Sequence, residues 1–162
     1  EEGIRAMAEG LKLILENPED LDARSDCLYG AWLCSTVLGN VGMALHHKLC
    51  HTLGGSFNLP HAPTHTIVLP HAISYNSEAA PDAAARIVRA LGGKSASAGQ
   101  ALYDLSKSLG APLALKSLGV NEADMDRATE IALANPYWNP RPIERGAIRE
   151  LLQNAYEGNR PV

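Results

Sequence analysis

The chain has 162 residues, 46% of them hydrophobic, and carries 14 basic and 18 acidic side chains for a net charge of −4 at pH 7. This length predicts one domain with a substantial apolar core. The acidic balance argues against nucleic acid and anionic membranes as partners, because both bind basic surfaces. No apolar run approaches the ~20 residues of a membrane-spanning helix, and no signal peptide is evident.

Apolar residues at helical spacing predict two helices at the start of the chain. The first carries a stripe that begins at Ile4 and ends before Asn17-Pro18. The chain opens inside this amphipathic pattern, without Met or a capping residue, so we expect a piece of a longer polypeptide. The second helix, around Leu28 to Leu38, has apolar side chains on every side. We therefore expect it to be buried all round, with Trp32 in the core.

A third predicted helix spans about residues 43–53, where the pair Gly54-Gly55 should end it. A loop over 56–63 should follow, and then a further helix that ends or bends at Pro70. This region of the chain is therefore predicted as helix, tight glycine turn and returning loop.

In the second half of the chain, apolar residues at helical spacing predict four more helices. Pro81 suits the first turn of one of them, and Gly92-Gly93 should end it. Asn121 and Asp124 resemble a capping arrangement, and Pro142 should open the last helix. Because no segment alternates with period two, the fold class is all-α. We expect a bundle of about seven or eight helices forming a single domain over residues 1–162.

The three cysteines, Cys27, Cys34 and Cys50, form no C-x-x-C pair. On one helix, Cys27 and Cys34 would be ~10 Å apart, whereas a disulfide needs Cα atoms within ~7 Å. We therefore expect buried thiols and a reducing, cytoplasmic compartment.

All six histidines lie within residues 46–71. His47 and His51 are four residues apart and share one helix face, whereas His46 points elsewhere, to solvent or to a supporting position. A helix, a turn and a returning segment can bring His47, His51 and His61 together. Neutral imidazoles that converge in this way can bind a divalent metal or transfer protons near neutral pH.

A histidine cluster can also be purely structural, since a buried histidine is usually a hydrogen-bonded core residue. Spacing alone supports the two roles about equally. The His-x-x-x-His spacing also occurs in zinc proteases of the H-E-x-x-H type. Lys48 stands where their glutamate base must be, which argues against a protease.

The stretch GMALHHKLCHTLGGSFNLPHAPTHTIVLPHAISYN, residues 42–76, resembles the iron-containing alcohol dehydrogenase superfamily, and most closely its maleylacetate reductase branch. That family has a His, a second His four residues later, L-G-G/A, and P-H ten residues after the second His. The surrounding helices resemble the family's C-terminal α domain, of the dehydroquinate synthase-like type, over essentially the whole chain. The matching residues are His47, His51, Leu53-Gly54-Gly55 and Pro60-His61, followed by Leu69-Pro70-His71 and Tyr75-Asn76.

The resemblance implies an oxidoreductase that uses NADH or NADPH. The cofactor would be bound mainly by an N-terminal dinucleotide-binding domain that this chain lacks and needs. In metal-dependent members, the positions that match His47 and His61 bind Fe²⁺ or Zn²⁺, and two further ligands lie upstream. The position that matches His51 lies beside the nicotinamide. The family also implies a homodimer.

Two departures favour the maleylacetate reductase branch, whose members need not hold a catalytic metal, so the metal at His47 and His61 stays open. His65 stands where alcohol dehydrogenases commonly have Asn, and His46 and Lys48 are typical of this branch. The implied reaction reduces 2-maleylacetate to 3-oxoadipate in aromatic compound degradation. His51 is then the catalytic residue that supplies a proton, and His65 and Lys48 bind the small dicarboxylate substrate.

Two alternatives remain open. An iron- or zinc-dependent alcohol dehydrogenase of the same superfamily predicts a metal at His47 and His61 and oxidation of a small alcohol. A non-catalytic helical module for metal binding or oligomerisation is suggested by the short chain, but its opening inside a helix argues against it.

Overall fold

The computed structural model describes residues 1–135 and 137–162, and the regular structure within these two ranges is entirely helical. The all-α prediction is therefore confirmed. No helix in this part of the chain is both long and apolar enough to cross a membrane. In chain order the helices are α1 (Glu2–Glu16), α2 (Leu21–Leu38), α3 (Leu45–Phe57), α4 (His61–Ser77), α5 (Pro81–Ala90), α6 (Ala98–Ser108), a short 3₁₀ helix (Leu115–Leu118), α7 (Asp124–Leu133) and α8 (Arg145–Glu157).

The hydrophobic core lies between α3, α4, α7 and α8. Helix α4 is central, because it contacts α3, α5, α6, α8 and the 3₁₀ helix. Helix α6 approaches α4 closely at Gly99, where a Cβ atom would lie 2.6 Å from the carbonyl oxygen of Pro70. The largest fully buried core side chains are Leu45, Leu49, Leu53, Ile67, Leu115, Met125, Ile148 and Leu152.

The turn between α3 and α4 differs from its prediction. Helix α3 continues through Gly54-Gly55 to Phe57. Neither glycine adopts the positive φ that would end the helix there. It ends instead at Asn58, with φ 54° and ψ 34°. Asparagine is one of the few residues that adopt this left-handed conformation readily. The predicted loop over 56–63 therefore shrinks to residues 58–60, and His61 is the first residue of α4.

Pro70 does not end its helix, and Pro142 does not open the last one. Helix α4 runs through Pro70 to Ser77, and Pro70 is fully buried. Packing of α4 against its neighbours outweighs the ~3 kcal/mol that an internal proline costs. The last helix begins at Arg145 rather than at Pro142. The carbonyl of Pro142 accepts a hydrogen bond from the Tyr75 hydroxyl at 2.6 Å, which holds this segment against α4.

The predicted boundaries of α5 are confirmed, since Pro81 is its first residue and Gly92 and Gly93 follow its end with φ values of 97° and 70°. The Asp124 carboxylate accepts a hydrogen bond from the Asn121 backbone N–H at 3.3 Å. This contact resembles the predicted cap at the start of α7.

Helices α1 and α2 form a hairpin, and the prediction that α2 is buried all round is wrong. Leu28 is 73% exposed and Trp32 61% exposed. The reason is that α2 packs on α1 through small residues: only Ala23 and Gly30 of α2 are buried. A Cβ atom at Gly30 would lie 2.8 Å from backbone atoms of α1. Large apolar side chains of α2 such as Leu28 and Trp32 consequently remain exposed.

The cysteine prediction holds in part. All three thiols are free, but Cys50 alone is buried, while Cys27 is half-buried and Cys34 is exposed. Burial raises the pKa of Cys50 to about 12, which makes its thiol unreactive at neutral pH.

Candidate active site

Helices α3 and α4 bring five of the six histidines together. Helix α3 supplies three of them and α4 supplies two, because only residues 58–60 separate the helices. The centroids of neighbouring rings lie between 4.0 and 6.0 Å apart. We call this group the histidine cluster: His46, His47, His51, His61 and His65.

His65 lies at the centre of the histidine cluster. Its ring centroid is 4.0 Å from that of His61, 4.9 Å from that of His46 and 5.3 Å from that of His47. The sequence predicts that His47, His51 and His61 meet. In the structure, the centroids of His47 and His51 are 6.0 Å apart, and His65 stands between His47 and His61. This follows because α4 begins at His61, which places His65 one turn along the same helix.

His46 is half-buried rather than solvated. Its Nε2 lies 3.1 Å from the backbone carbonyl oxygen of His65. Because a carbonyl oxygen can only accept a hydrogen bond, Nε2 of His46 carries the proton and Nδ1 is left as the acceptor. His46 therefore ties α3 to α4 at the level of the cluster, which agrees with the predicted supporting position.

Three imidazoles of the cluster are held in the neutral form. Burial lowers the pKa of His65 to about 4, and repulsion from His46 and His61 adds to this effect. Burial is also the main cause that lowers the pKa values of His46 and His47. Repulsion from His51 lowers both further. Neutral imidazoles can accept a proton, donate an N–H or bind a metal.

A group of three ligand atoms in the cluster suits a divalent metal. Imidazole nitrogens of His46, His47 and His65 lie within 4.8 Å of one another. The buried Nε2 of His65 finds no hydrogen-bond partner among the described residues. Three neutral imidazoles are a ligand set that Zn²⁺ and Fe²⁺ accept. His61 lies against His65 beyond this trio, so the metal assignment to His47 and His61 stays a prediction.

Lys48 follows His47 on α3, and its ammonium lies 5.7 Å from the centroid of the Tyr137 ring. The Tyr137 hydroxyl is buried without a partner among the described residues, and burial raises its pKa to about 12. Lys48 thus faces an aromatic ring next to the cluster. Its contact with a substrate stays a prediction.

Asn139 was not predicted as part of the site, yet it fixes the start of α3. Ala44 caps α3 without a side-chain hydrogen bond, and the Asn139 Oδ1 accepts one from Leu45 N at 3.4 Å. The amides of Asn139 and Asn76 exchange hydrogen bonds of 2.7 and 3.1 Å. Its Nδ2 also donates to the carbonyl oxygen of Arg141 at 2.7 Å. The contacts of Asn139 with Leu45 and Asn76 join residues 63 or more apart, so no local pattern indicates them.

His71 is separate from the cluster. It is buried on α4 and borders a cavity of about 210 Å³, which Ser74 and Arg141 also line. Burial lowers its pKa to about 4. His71 is therefore neutral and buried, but its buried Nε2 finds no hydrogen-bond partner among the described residues, so it is not the hydrogen-bonded core histidine of the structural alternative.

Comparisons with known proteins identify the family and match the fold. Residues 1–156 match the Fe-containing alcohol dehydrogenase family, C-terminal. The chain is 58% identical over 161 residues to the maleylacetate reductase of Burkholderia cepacia. Among solved structures, a protein of Ralstonia eutropha JMP134, provisionally named an alcohol dehydrogenase, is 68% identical with a TM-score of 0.97. The maleylacetate reductase of Agrobacterium tumefaciens is 57% identical with a TM-score of 0.94.

The chain spans less than half of each of these proteins. The match covers 99% of this chain in all three comparisons, but 45% of the Burkholderia protein, 46% of the Ralstonia chain and 45% of the Agrobacterium chain. The relatives therefore contain a further region, larger than the 162 residues described above, that has no counterpart in this chain.

Proposed function

Because this chain belongs to the Fe-containing alcohol dehydrogenase family, we propose that it is the C-terminal helical half of an NAD(P)H-dependent maleylacetate reductase. The whole protein would reduce 2-maleylacetate to 3-oxoadipate in aromatic compound degradation. The observation that carries this proposal is the histidine cluster on α3 and α4, in a chain that is 58% identical to a maleylacetate reductase.

The reaction sets clear demands on the site. When bound, the nicotinamide of NADH or NADPH supplies a hydride to the carbon–carbon double bond that is conjugated to a carbonyl group. Negative charge then develops on the carbonyl oxygen, and a carbon of the former double bond must gain a proton. An N-terminal dinucleotide-binding domain would hold the cofactor against the open side of the histidine cluster.

We assign proton donation to His51. Its ring is exposed at the edge of the cluster, so a substrate can reach it. The half-buried His47 lies one helical turn earlier, with its ring centroid 6.0 Å away, and can pass a proton to His51 through a bridging water.

We assign substrate binding to His65 and Lys48. The substrate carries two carboxylates, which require hydrogen-bond donors and positive charge. His65 is neutral and has an unsatisfied buried Nε2, so it can donate an N–H to a carboxylate or to the developing oxyanion. The Lys48 ammonium supplies the positive charge beside the cluster.

A metal, Fe²⁺ or Zn²⁺, would be held by His47 and His61, the positions that the family resemblance implies, with His65, whose ligand atom lies within 4.8 Å of those of His46 and His47, as a further candidate ligand. When bound, it would polarise the carbonyl oxygen of the substrate. Exhaustive chelation followed by metal analysis of the whole protein tests this assignment. Full activity in metal-free protein would show that His47 and His61 act without a metal.

The experiment that tests the function uses the whole protein, including the region upstream of Glu1. Oxidation of NADH or NADPH on addition of 2-maleylacetate, with formation of 3-oxoadipate, is the expected result. His51→Ala should then lower kcat by ~10²-fold. A fall of less than about threefold would reject His51 as the proton donor. The thermal midpoint of the variant serves as a control, because an exposed residue contributes little to stability.

A second candidate is a metal-dependent alcohol dehydrogenase, which the name of the Ralstonia protein favours. It predicts no turnover of 2-maleylacetate, and oxidation of a small alcohol that stops on chelation. Either enzyme would be a homodimer, which sedimentation of the whole protein would detect.

A further inference from the structure

The side chain of Asn139 makes every hydrogen bond that an amide can make. Its Oδ1 accepts from Asn76 Nδ2 at 3.1 Å and from Leu45 N at 3.4 Å. Its Nδ2 donates to Asn76 Oδ1 and to the Arg141 carbonyl oxygen, each at 2.7 Å. An amide has two donor hydrogens and two acceptor lone pairs, so none of them is left over. Only the side chains of Asn and Gln offer this combination of groups.

The surroundings fix the orientation of both amides. The Leu45 N–H can only donate, so the oxygen of Asn139 must face it. The Arg141 carbonyl can only accept, so the nitrogen of Asn139 must lie on that side. Asn76 must then present its own nitrogen to the Asn139 oxygen. A polar network that is fully satisfied in this way holds the elements it joins in one arrangement.

The two amides join three elements of the fold. Leu45 is the first residue of α3, Asn76 lies in the last turn of α4, and Asn139 lies in the segment between α7 and α8. The same segment is held to α4 a second time, because the Tyr75 hydroxyl donates to the Pro142 carbonyl oxygen at 2.6 Å. That second contact does not reach α3. Asn139 is therefore the side chain that links the end of α4 to the start of α3.

Helix α3 is tied to α4 at two separate levels. At the histidine cluster, Nε2 of His46 donates to the His65 carbonyl oxygen at 3.1 Å. At the start of α3, Asn139 connects Leu45 with Asn76. His65 and Asn76 are roughly 16 Å apart along α4, at ~1.5 Å per residue. One tie fixes a point of α3, whereas two ties this far apart also fix the direction of α3 relative to α4.

We propose that Asn139, paired with Asn76, is a positioning residue for the histidine cluster. It sets how the first turn of α3, which carries His46 and His47, lies against His65 of α4. The capping position of α3 has no side-chain hydrogen bond of its own, so the Asn139 oxygen takes the place of a cap. Only the part of the test that measures catalysis rests on the proposed function.

The matched control for Asn139 is Tyr75. Asn139→Ala removes the hydrogen bonds that reach α3, whereas Tyr75→Phe removes a hydrogen bond between the same segment and α4 alone. Each substitution should lower the thermal midpoint of the whole protein by about 2–6 °C, because each leaves a buried polar group without its partner. A difference between the two variants at the histidine cluster therefore reports the position of α3 rather than overall stability.

The first measurement follows the Nε2 proton of His46 by NMR in the ¹⁵N-histidine-labelled whole protein, assigned with His46→Gln. In Asn139→Ala the hydrogen bond to His65 should open more often, so exchange of this proton with water should become about tenfold faster or more. Tyr75→Phe should change the exchange rate by less than about twofold. Unchanged exchange in Asn139→Ala, or an equal change in both variants, would overturn the proposal. This measurement involves no catalysis, so it decides even if the whole protein does not reduce 2-maleylacetate.

The second measurement is kinetic. Asn139→Ala should lower kcat for 2-maleylacetate by about tenfold and change KM by less than about threefold, because α3 carries the proposed proton donor His51 and small displacements of a reacting group slow the chemical step. Tyr75→Phe should leave kcat within about twofold of the unmodified protein. Equal losses of kcat in the two variants would contradict a positioning role.

A second variant covers the case in which Asn139→Ala does not fold. Asn76→Ala breaks the same pair from the side of α4 and leaves the contacts of Asn139 with Leu45 and Arg141 available. It should speed up exchange of the His46 proton and lower kcat in the same direction. Exchange and kcat that both match those of the unmodified protein would overturn the proposal.

Discussion

The α1–α2 hairpin and the four-helix core use apolar residues in opposite ways. In the core, large side chains such as Leu49 and Leu53 of α3 are fully buried between helices. In the hairpin, glycines such as Gly30 make the contact and large side chains such as Trp32 point outward. Helices of this chain bury the large side chains of the core, whereas the hairpin leaves several of its large apolar side chains exposed. An apolar helix is therefore not the same thing as a buried helix.

The largest difference between the two regions should appear when a leucine is truncated. Leu49→Ala removes a fully buried side chain from the core and leaves a cavity, so it should lower the free energy of unfolding by about 3 kcal/mol. Leu28→Ala in the hairpin should change it by less than about 0.5 kcal/mol. Urea unfolding of both variants of this chain measures the difference. Similar losses at the two positions would show that the hairpin is packed more tightly than its exposure indicates.

Acid should destabilise the core helices rather than the hairpin, because all six histidines lie on α3 and α4 and none lies in the hairpin. The pKa of His71 is lowered by burial from 6.5 to about 4 in the folded chain. Between these two values the unfolded chain binds a proton that the folded chain does not. Stability is therefore full above pH 6.5 and falls as the pH drops towards 4, by about 3 kcal/mol for this residue.

The measurement for His71 is urea unfolding of this chain at pH 7 and at pH 4. In His71→Leu, the free energy of unfolding should fall by about 3 kcal/mol less between pH 7 and pH 4. The other neutral histidines will leave a residual pH dependence. An unchanged pH dependence in His71→Leu would show that His71 becomes charged without cost in the folded chain.

The smallest expected effect concerns the glycines that hold the hairpin together. Gly30→Ala places a Cβ atom 2.8 Å from backbone atoms of Gly3 and Met7, so α1 and α2 must move apart. We expect a loss of about 1–3 kcal/mol. Gly55→Ala is the matched control, because Gly55 is also helical but has open space at its Cβ position. It should stabilise the chain by about 0.5–1 kcal/mol. Thermal unfolding measures both, and a stabilising Gly30→Ala would contradict the close contact.

Several features of the fold could be predicted because their causes are local. Pro81 and Gly92-Gly93 bound α5 as predicted, since proline and glycine act through the backbone of their own residues. The end of α3 could not be predicted in the same way. Gly54 and Gly55 remain helical, and Asn58 takes the left-handed position that ends α3.

The candidate site likewise combines features that local spacing predicts with features that depend on tertiary packing. Spacing along α3 predicts that His47 and His51 are neighbours, and their rings are. The central place of His65 depends on where α4 begins, and the contact of Asn139 with the start of α3 depends on residues far apart in the chain. Contacts between residues so far apart in the sequence leave no periodic pattern of residue types, so only the folded structure reveals them.

The sequence by itself determined the all-α class, the family and the set of histidines, because helix periodicity and an ordered motif are properties of neighbouring residues. Tertiary structure decided which apolar face is buried and which imidazole lies at the centre of the cluster. Both depend on how helices pack, and α2 shows why. Its composition predicts burial, but burial requires a surface to pack against, and α1 supplies a surface for one side of α2 alone.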